Sequence, residues 1–65
     1  MQLVLNTFGA YLHRQGEMFR IKVGEEIKEI SSRKVSSILI ATAATVSTDA
    51  VQLAVEKNID IVFLD

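Results

Sequence analysis

The second half of the chain constrains the fold most, because two apolar runs stand on either side of a segment with helical spacing. Ile38 to Ile40 is continuously apolar rather than alternating, as is typical of a strand buried on both faces. Asp60 to Leu64 has the same character. The intervening segment 42–59 is long enough for the crossover that parallel strands require. We therefore expect two parallel neighbours joined by a right-handed strand, helix and strand unit.

The segment between these runs carries the signals of a short helix. Ser47 is a good N-cap, and Asp49 stands in the first turn, where the positive end of the helix dipole stabilises a negative charge. Apolar residues then recur at helical spacing up to Val55. Asn58 is suited to the left-handed residue that ends a helix. A helix N-terminus can bind a phosphate, but Asp49 already supplies negative charge there, so we interpret Ser47 as a structural cap.

Three glycines divide the first half of the chain into a meander of short strands. Gly16-Glu17 and Gly24-Glu25 are Gly-X pairs between strand-like runs, which predicts two-residue type II′ hairpin turns. The first turn fixes a register in which the following residues are paired across the strands: Gln15 with Met18, Arg14 with Phe19, His13 with Arg20, Leu12 with Ile21, Tyr11 with Lys22 and Ala10 with Val23.

This register separates two faces, because successive strand residues point to opposite sides of a sheet. The apolar residues of the two paired strands share one face, which we expect to line the core. The other face is wet and basic, and it carries Tyr11, His13, Arg20 and Lys22. The second hairpin places Glu29 opposite Arg20, so one of these positive charges is predicted to be paired across the strands. Lys28 falls on the core side, which predicts that its strand is an edge.

Size and composition restrict the class of protein. A chain of 65 residues forms one domain, residues 1–65, and buries only about 60% of the surface that its unfolded form exposes. Because it has no cysteine for disulfides or for cysteine-based zinc sites, we expect oligomerisation or a partner domain to supply further stability. Hydrophobic residues make up 49% of the chain, yet no apolar run approaches the roughly 18 residues of a membrane span. We predict a soluble cytoplasmic protein without a signal peptide or membrane partner.

The charge distribution leaves two interpretations open. The net charge of −1 does not indicate a polyanion partner. Six of the seven Lys and Arg residues nevertheless lie in the first half, residues 1–34, where four of the eight acids also lie. From the residues alone, this half therefore carries either a solvated face of mixed charge or a binding face.

No group of residues has the spacing of a catalytic or metal site. His13 has no cysteine or metal ligand at a useful distance along the chain, so we interpret it as a surface strand histidine. Asp60 and Asp65 stand at the ends of the last strand, where α/β folds often place active sites, but the sequence predicts no pocket with them. Phe8 precedes Gly9 in a turn, where its ring could stack on a base, pack in a subunit interface or pack in the domain's own core.

The segments described above recur in the order of a known family. They are Leu3 to Leu12, Met18 to Lys22, Glu29-Ile30 with Val35 and Ile38 to Ile40, Val46 to Ala50 with Leu53-Ala54, and Asn58 to Leu64. Over nearly the whole chain, this ordered set resembles the amino-terminal β-domain of CRISPR-associated protein one, the endonuclease and integrase of CRISPR adaptation. The predicted fold is accordingly α/β and β-rich: an antiparallel meander of short strands and then a strand, helix and strand crossover unit, forming an incomplete amino-terminal β-domain.

The resemblance implies a divalent-metal-dependent DNA endonuclease and integrase that inserts new spacers into CRISPR arrays in antiviral defence. In this family magnesium or manganese is held in a helical domain, which we expect to lie outside this chain, so the chain itself is predicted to be non-catalytic and to bind no cofactor. A homodimer, DNA and a small companion adaptation protein are the implied partners. In some relatives an aromatic precedes the glycine that corresponds to Gly9, and Phe8 looks like its counterpart. Together with the four residues that the hairpin register places on one solvent-facing surface, the predicted DNA-bracing residues are Phe8, Tyr11, His13, Arg20 and Lys22.

Two other classes of function stay open at this point. The chain could be a small α/β protein-interaction module that completes its sheet with a partner strand. It could also be a ligand-binding or enzymatic α/β domain that ends before its site. A helical domain encoded in the same reading frame beside a CRISPR array would favour the integrase over both.

Overall fold

The computed structural model describes residues 1–64, so Asp65, considered above for its place after the last strand, lies outside the described residues. Within them the chain forms seven strands, one α-helix and one short 3₁₀ helix. In chain order the elements are β1 (Gln2–Leu5), β2 (Tyr11–Gln15), β3 (Met18–Val23), β4 (Glu26–Ser31), the 3₁₀ helix (Ser32–Lys34), β5 (Ser37–Ile40), β6 (Thr45–Val46), α1 (Thr48–Glu56) and β7 (Asp60–Phe63).

Three strands form a parallel sheet in the order β1-β5-β7. The predicted pairing of the two apolar runs is confirmed, since Ile38 lies opposite Ile61 in a parallel register. The prediction that β1 belongs to the meander is wrong, because β1 pairs with β5 and places Leu3 opposite Ile38. A continuously apolar strand such as β5 is stabilised by a neighbouring strand on each edge and by apolar side chains packed on both faces. Strand β1 is one of these neighbours, and its alternating leucines point into the core.

The other four strands form a second sheet in the order β4-β3-β2-β6, which we call the hairpin sheet. Its two hairpins have the predicted registers from Gln15 opposite Met18 onward, although the first ladder ends at the pair of Tyr11 and Lys22. Gly16 and Gly24 have φ of 62° and 61°, whereas the glutamate after each of them has negative φ. Positive φ at the first central position alone identifies the predicted type II′ turns.

Strand β6 was missed by the sequence analysis, which treated residues 42–46 as a connection. Its two residues pair in parallel with β2, so that Thr45 lies opposite Tyr11 and Val46 opposite Leu12. The chain therefore leaves the parallel sheet after β5, adds the short strand β6 to the hairpin sheet, and returns through α1 to β7. A strand of two residues is too short to show alternation, which is why periodicity gives no signal for it.

One buried cluster joins the two sheets and the helix. Its fully buried large side chains come from β2, β3, β5 and α1, namely Leu12, Phe19, Ile38 and Leu53. The helix packs against β2 and β7. Its predicted ends are confirmed, since the hydroxyl of Ser47 accepts a hydrogen bond from the backbone N–H of Ala50 at 3.3 Å and Asn58 has a φ of 56°.

The prediction that the last strand is buried on both faces is wrong. In β7, Val62 is 45% exposed and Phe63 is 65% exposed. The reason is topological: β7 lies at the edge of the parallel sheet, so among the described residues it has one strand neighbour, and α1 packs on it. Before β5, Val35 caps the 3₁₀ helix, and the strand begins at Ser37.

Candidate nucleic-acid interface

Four of the five residues predicted to bind nucleic acid lie together on the outer face of the β2–β3 hairpin. The type II′ turn at Gly16 fixes their register, in which Tyr11 is opposite Lys22 and His13 is opposite Arg20. Tyr11 and Lys22 are exposed, whereas His13 and Arg20 are half-buried. The opposite face of the same strands carries Leu12 and Phe19 in the core, so the outer face is not needed to build the core.

The two rings on this face are stacked on each other. The ring centroids of Tyr11 and His13 are 4.8 Å apart and the ring planes are inclined by 13°. Residues i and i+2 of a strand point to the same side, and this places the two rings side by side on β2. The predicted register places both residues on one face, but the stack has no signal in the sequence because it depends on side-chain rotamers.

The two cations of this face differ in their partners. Arg20 forms the predicted cross-strand ion pair with Glu29, at 3.7 Å between Nε and Oε2. That distance is too long for a hydrogen bond, and the buried Nε of Arg20 has no hydrogen-bond partner within residues 1–64. Lys22 forms no ion pair with any residue that the structure describes. Lys22 is therefore the more available cation for an external phosphate.

Phe8, the fifth predicted residue, projects from the turn before β2 and is 80% exposed. The turn is held at both ends: the N–H of Ala10 donates to the carbonyl of Thr7 at 3.2 Å, and the N–H of Gly9 donates to the carbonyl of Ala43 at 3.0 Å. Gly9 has a φ of 81°, a conformation that favours glycine. Packing of Phe8 in the core is thus excluded, and within residues 1–64 its ring stacks on no other aromatic ring.

An ionic cluster lies at the closed end of the β2–β3 hairpin and was not predicted from the sequence. Arg14 contacts Glu56 at 3.2 Å and Glu17 at 3.4 Å, and Lys57 contacts Glu17 at 3.2 Å. The Glu56 hydrogen bond is the largest influence raising the pKa of Arg14, and the hydrogen bond from Lys57 is the largest influence lowering the pKa of Glu17. These four charges link the hairpin to the end of α1, so Arg14 is engaged within the domain.

The amino terminus of α1 is also satisfied within the domain. The carboxylate of Asp49 accepts a hydrogen bond from the hydroxyl of Ser47 and another from the backbone N–H of Arg14, the latter at 3.2 Å. The hydroxyl of Ser47 is the main cause of the lowered pKa of Asp49. The interpretation of Ser47 as a structural cap is therefore confirmed, and α1 offers no obvious phosphate site.

Two further surfaces lie away from this face. One is the exposed edge of β7 with Val62, Phe63 and Leu64. The other is a groove of about 410 Å³ between β1 and the β3–β4 hairpin. Its floor and walls are formed by Leu3, Val4, Leu5, Asn6, Thr7, Ala10, Ile21, Val23, Glu26 and Lys28.

Neither a metal site nor a membrane-spanning helix was found in the described part of the chain. No three His, Cys, Asp or Glu side chains in residues 1–64 come close enough to hold a metal ion. The residues present therefore do not fit magnesium or manganese, and we derive no chemical step through a metal. None of the helices in this part of the chain has the length and apolar character needed to cross a membrane.

Comparison with known proteins identifies relatives over the whole chain. The family model described as "CRISPR associated protein Cas1" matches residues 3–65. A CRISPR-associated endonuclease Cas1 of Saccharolobus solfataricus is 38% identical over 63 residues, which cover 97% of this chain and 20% of that protein. A second, from Archaeoglobus fulgidus, is 32% identical over 66 residues, which cover 100% of this chain and 19% of that protein. The chain thus spans about one fifth of the length of the relatives that it matches.

Solved structures share the fold at lower sequence identity. A CAS1 protein from Thermotoga maritima has a TM-score of 0.84 at 19% identity, over 98% of this chain and 20% of that chain. A Cas6-RT-Cas1–Cas2 complex has a TM-score of 0.92 at 18% identity, over 100% of this chain and 7% of that chain. A casposase bound to its integration product has a TM-score of 0.76 at 22% identity, over 98% of this chain and 22% of that chain. The two sheets and the helix are therefore those of the amino-terminal domain in Cas1 structures, and the chain belongs to the Cas1 family of CRISPR-associated proteins.

Proposed function

We propose that this chain is the amino-terminal, DNA-bracing and dimerising domain of a CRISPR adaptation integrase. Family membership supports the integrase assignment, and similar structures contain an integration product or Cas2. The observation that carries the DNA-bracing role is the outer face of the β2–β3 hairpin. It combines Lys22, which forms no ion pair with a described residue, and the half-buried Arg20 with two stacked rings, and Phe8 projects from the turn that leads into it.

The charges of this face set the expected strength of DNA binding. Glu29 offsets the charge of Arg20, so Lys22 provides most of the free positive charge. With few phosphate contacts available, we expect binding that is weak, independent of sequence and reduced by salt. Such a surface orients a duplex, and any specificity for the DNA sequence would come from other parts of the protein.

A charge-reversal pair tests this role. Lys22→Glu is expected to lower the affinity for a DNA duplex and to reduce the slope of log K against log salt by about one. Lys28→Glu makes the same charge change on the opposite face of the hairpin sheet and is the matched control, with an effect limited to the small change in net charge. Fluorescence anisotropy across a salt series measures both. Equal losses in the two variants would mean that DNA does not bind on the outer face.

Phe8 has a different role in this proposal, because it carries no charge and stands on a fixed turn. Phe8→Ala is expected to leave the affinity for the middle of a duplex nearly unchanged and to alter how the duplex end is held. A 2-aminopurine placed in the terminal base pair reports this through its fluorescence. If Phe8→Ala instead changes only the oligomeric state, the residue belongs to a subunit interface.

The remaining parts of the proposal concern the whole protein. We place magnesium or manganese and the DNA-cutting residues outside this chain, Cas2 as the small companion protein, and the protein in the cytoplasm. The chain alone is then expected to leave linear and branched DNA intact in either metal. Cleavage that copurifies with the chain and stops on addition of a chelator would overturn this assignment.

A protein-interaction module is the second candidate function, and the edge of β7 favours it. Val62, Phe63 and Leu64 are exposed beside a strand edge that pairs with no other described strand. Such an edge can accept a further strand through backbone hydrogen bonds. In our proposal this edge serves dimerisation, so the two functions differ in whether the added strand comes from a second copy or from another protein.

A further inference from the structure

The ion pair between Arg20 and Glu29 lacks the hydrogen bonds that such a pair can form. The two side chains approach to 3.7 Å between Nε and Oε2, which is too long for a hydrogen bond. The Nε atom is buried and has no hydrogen-bond partner within residues 1–64. Arg14 is bound differently, because its guanidinium donates hydrogen bonds to both carboxylate oxygens of Glu56, at 3.2 and 3.4 Å. Glu29 therefore holds Arg20 by charge attraction, without paired hydrogen bonds.

Neither partner of this ion pair is enclosed by the domain. The side chain of Arg20 is 33% exposed and that of Glu29 is 43% exposed. Glu29 lies on β4, an edge strand of the hairpin sheet, so its carboxylate can move into solvent without displacing a further strand. Arg20 is thus able to exchange this carboxylate for another anion.

A backbone phosphate of DNA is an anion that suits Arg20. Its oxygens accept two parallel hydrogen bonds from a guanidinium, and such bidentate bonds between charged groups are stronger than one long ion pair. Lys22 lies two residues along β3 on the same face, about 6.6 Å away, and forms no ion pair with a described residue. A DNA strand that contacts Lys22 therefore also brings phosphates near Arg20.

We infer that Glu29 is an internal competitor of DNA, whose carboxylate takes the place of a backbone phosphate beside Arg20 until a bound duplex replaces it. This inference rests on the proposed function and names a residue that sets the strength of DNA binding by this face. Free DNA must displace the carboxylate, so it binds weakly. A duplex already held by other parts of a larger protein presents its phosphates at a high effective concentration, which favours the exchange.

Removing the carboxylate tests the competition. Glu29→Gln keeps the size of the side chain and is expected to raise the affinity for a short duplex about threefold to tenfold at low salt. It is also expected to steepen the slope of log K against log salt by about one, because Arg20 then neutralises a further phosphate. Glu26→Gln makes the same charge change on the opposite face of β4 and is the matched control, with a gain of about twofold or less. Fluorescence anisotropy across a salt series measures both.

A double-mutant cycle shows whether the gain depends on Arg20. In the Arg20→Gln background, Glu29→Gln is expected to raise the affinity no more than Glu26→Gln does and to leave the salt slope unchanged. A gain of the same size with and without Arg20 would mean that Glu29 only repels DNA, and the inference fails. Equal gains in Glu29→Gln and Glu26→Gln would overturn it as well. Circular dichroism and the melting temperature establish that each variant is folded.

The Nε–H signal of Arg20 provides a measurement that needs no variant. The chain has three arginines, so their side-chain signals are few enough to assign by nuclear magnetic resonance. Addition of duplex DNA to the wild-type chain is expected to shift the Arg20 signal together with the backbone signal of Lys22. If Lys22 responds and Arg20 does not, the inference fails while DNA binding by this face still stands. If neither the wild type nor Glu29→Gln binds a duplex at low salt, the proposed function fails and the inference fails with it.

Discussion

Two of the edge strands, β4 and β7, are built in opposite ways. On β4, Glu26, Lys28 and Glu29 place charges on both faces of the strand, and Lys28 stands on the core-facing side. On β7, Asp60 is followed by apolar residues through Leu64, and Phe63 is 65% exposed. Charges on an edge, above all inward-pointing lysines, prevent the addition of a further strand, whereas an apolar edge favours it. From this comparison we expect β4 to disfavour, and β7 to favour, the addition of a further strand.

The largest expected effects come from substitutions in the core. They test whether the two sheets unfold together as one cooperative unit. Phe19→Ala in the hairpin sheet removes a fully buried ring and is expected to lower the free energy of unfolding by about 3–5 kcal/mol. Ile38→Ala in the parallel sheet is expected to cost about 2–5 kcal/mol. Both losses are large for a domain of this size, whose total stability lies near the lower end of about 5–15 kcal/mol.

Urea unfolding followed by circular dichroism measures these costs. Because the core cluster draws side chains from both sheets, each variant is expected to shift one common transition. Val55→Ala, at an exposed position of α1, is the control and is expected to change stability by about 0.5 kcal/mol or less. Two separate transitions, with each variant affecting one of them, would mean that the sheets fold independently.

The second prediction tests the difference between the edges directly. Phe63→Lys is expected to raise the concentration at which the chain self-associates by about tenfold or more, because it places a charge on the apolar edge. Ile27→Lys makes the same type of substitution on β4 and is expected to leave self-association unchanged. Light scattering over a wide concentration range measures both.

A reciprocal variant extends this prediction. Lys28→Val removes the inward-pointing charge of β4 and is expected to promote association through that edge, although less than Phe63→Lys suppresses it at β7. If Ile27→Lys dissociates the protein while Phe63→Lys does not, the roles of the two edges are reversed. A wild-type chain that remains monomeric at all concentrations would contradict the dimer.

The smallest expected effect concerns the ionic cluster that links the β2–β3 hairpin to the end of α1. The hydrogen bond from Lys57 lowers the pKa of Glu17 below its ordinary value of 4.5. A carboxylate with a lowered pKa in the folded state stabilises the protein at neutral pH, and this contribution is lost as the pH falls from about 4.5 through the folded value. Lys57→Met is therefore expected to reduce stability slightly at pH 7 and to make the loss of stability toward pH 3 less steep.

Thermal unfolding between pH 7 and pH 3 checks this expectation. Lys34→Met, which removes a lysine that forms no described ion pair, is the control. The interaction is exposed and screened by salt, so the difference between the variants should shrink in 1 M salt. An identical pH profile for the wild type and Lys57→Met would show that the ion pair of Lys57 with Glu17 contributes nothing to stability.

Local features of the sequence were sufficient for much of the fold. Each Gly-Glu pair fixed a turn type, and the alternation of apolar residues then fixed the register of both hairpins and the faces of Tyr11, His13, Arg20 and Lys22. The helix ends at Ser47 and Asn58 were also predicted correctly, because capping depends on residues within one turn of the helix.

Other features depend on parts of the chain that are distant in sequence. Alternation in β1 indicates which of its residues are buried but not which sheet it joins, so its pairing with β5 was not predicted. An apolar run indicates low affinity for water without specifying what covers it, which is why β7 was assigned to the interior. The Tyr11–His13 stack follows from rotamers and has no signature in the sequence.

The pairing of β1 with β5 has a consequence for the order of events during synthesis. The residues that it joins, such as Leu3 and Ile38, are separated in the chain by β2, β3 and β4, which form the two hairpins. Each hairpin closes through a two-residue turn and can form as soon as its strands emerge from the ribosome, whereas β1 can pair only after β5 has been made. Until then Leu3 and Leu5 remain exposed on a nascent chain, and we expect this interval to be the time at which the domain is most prone to aggregate or to need a chaperone.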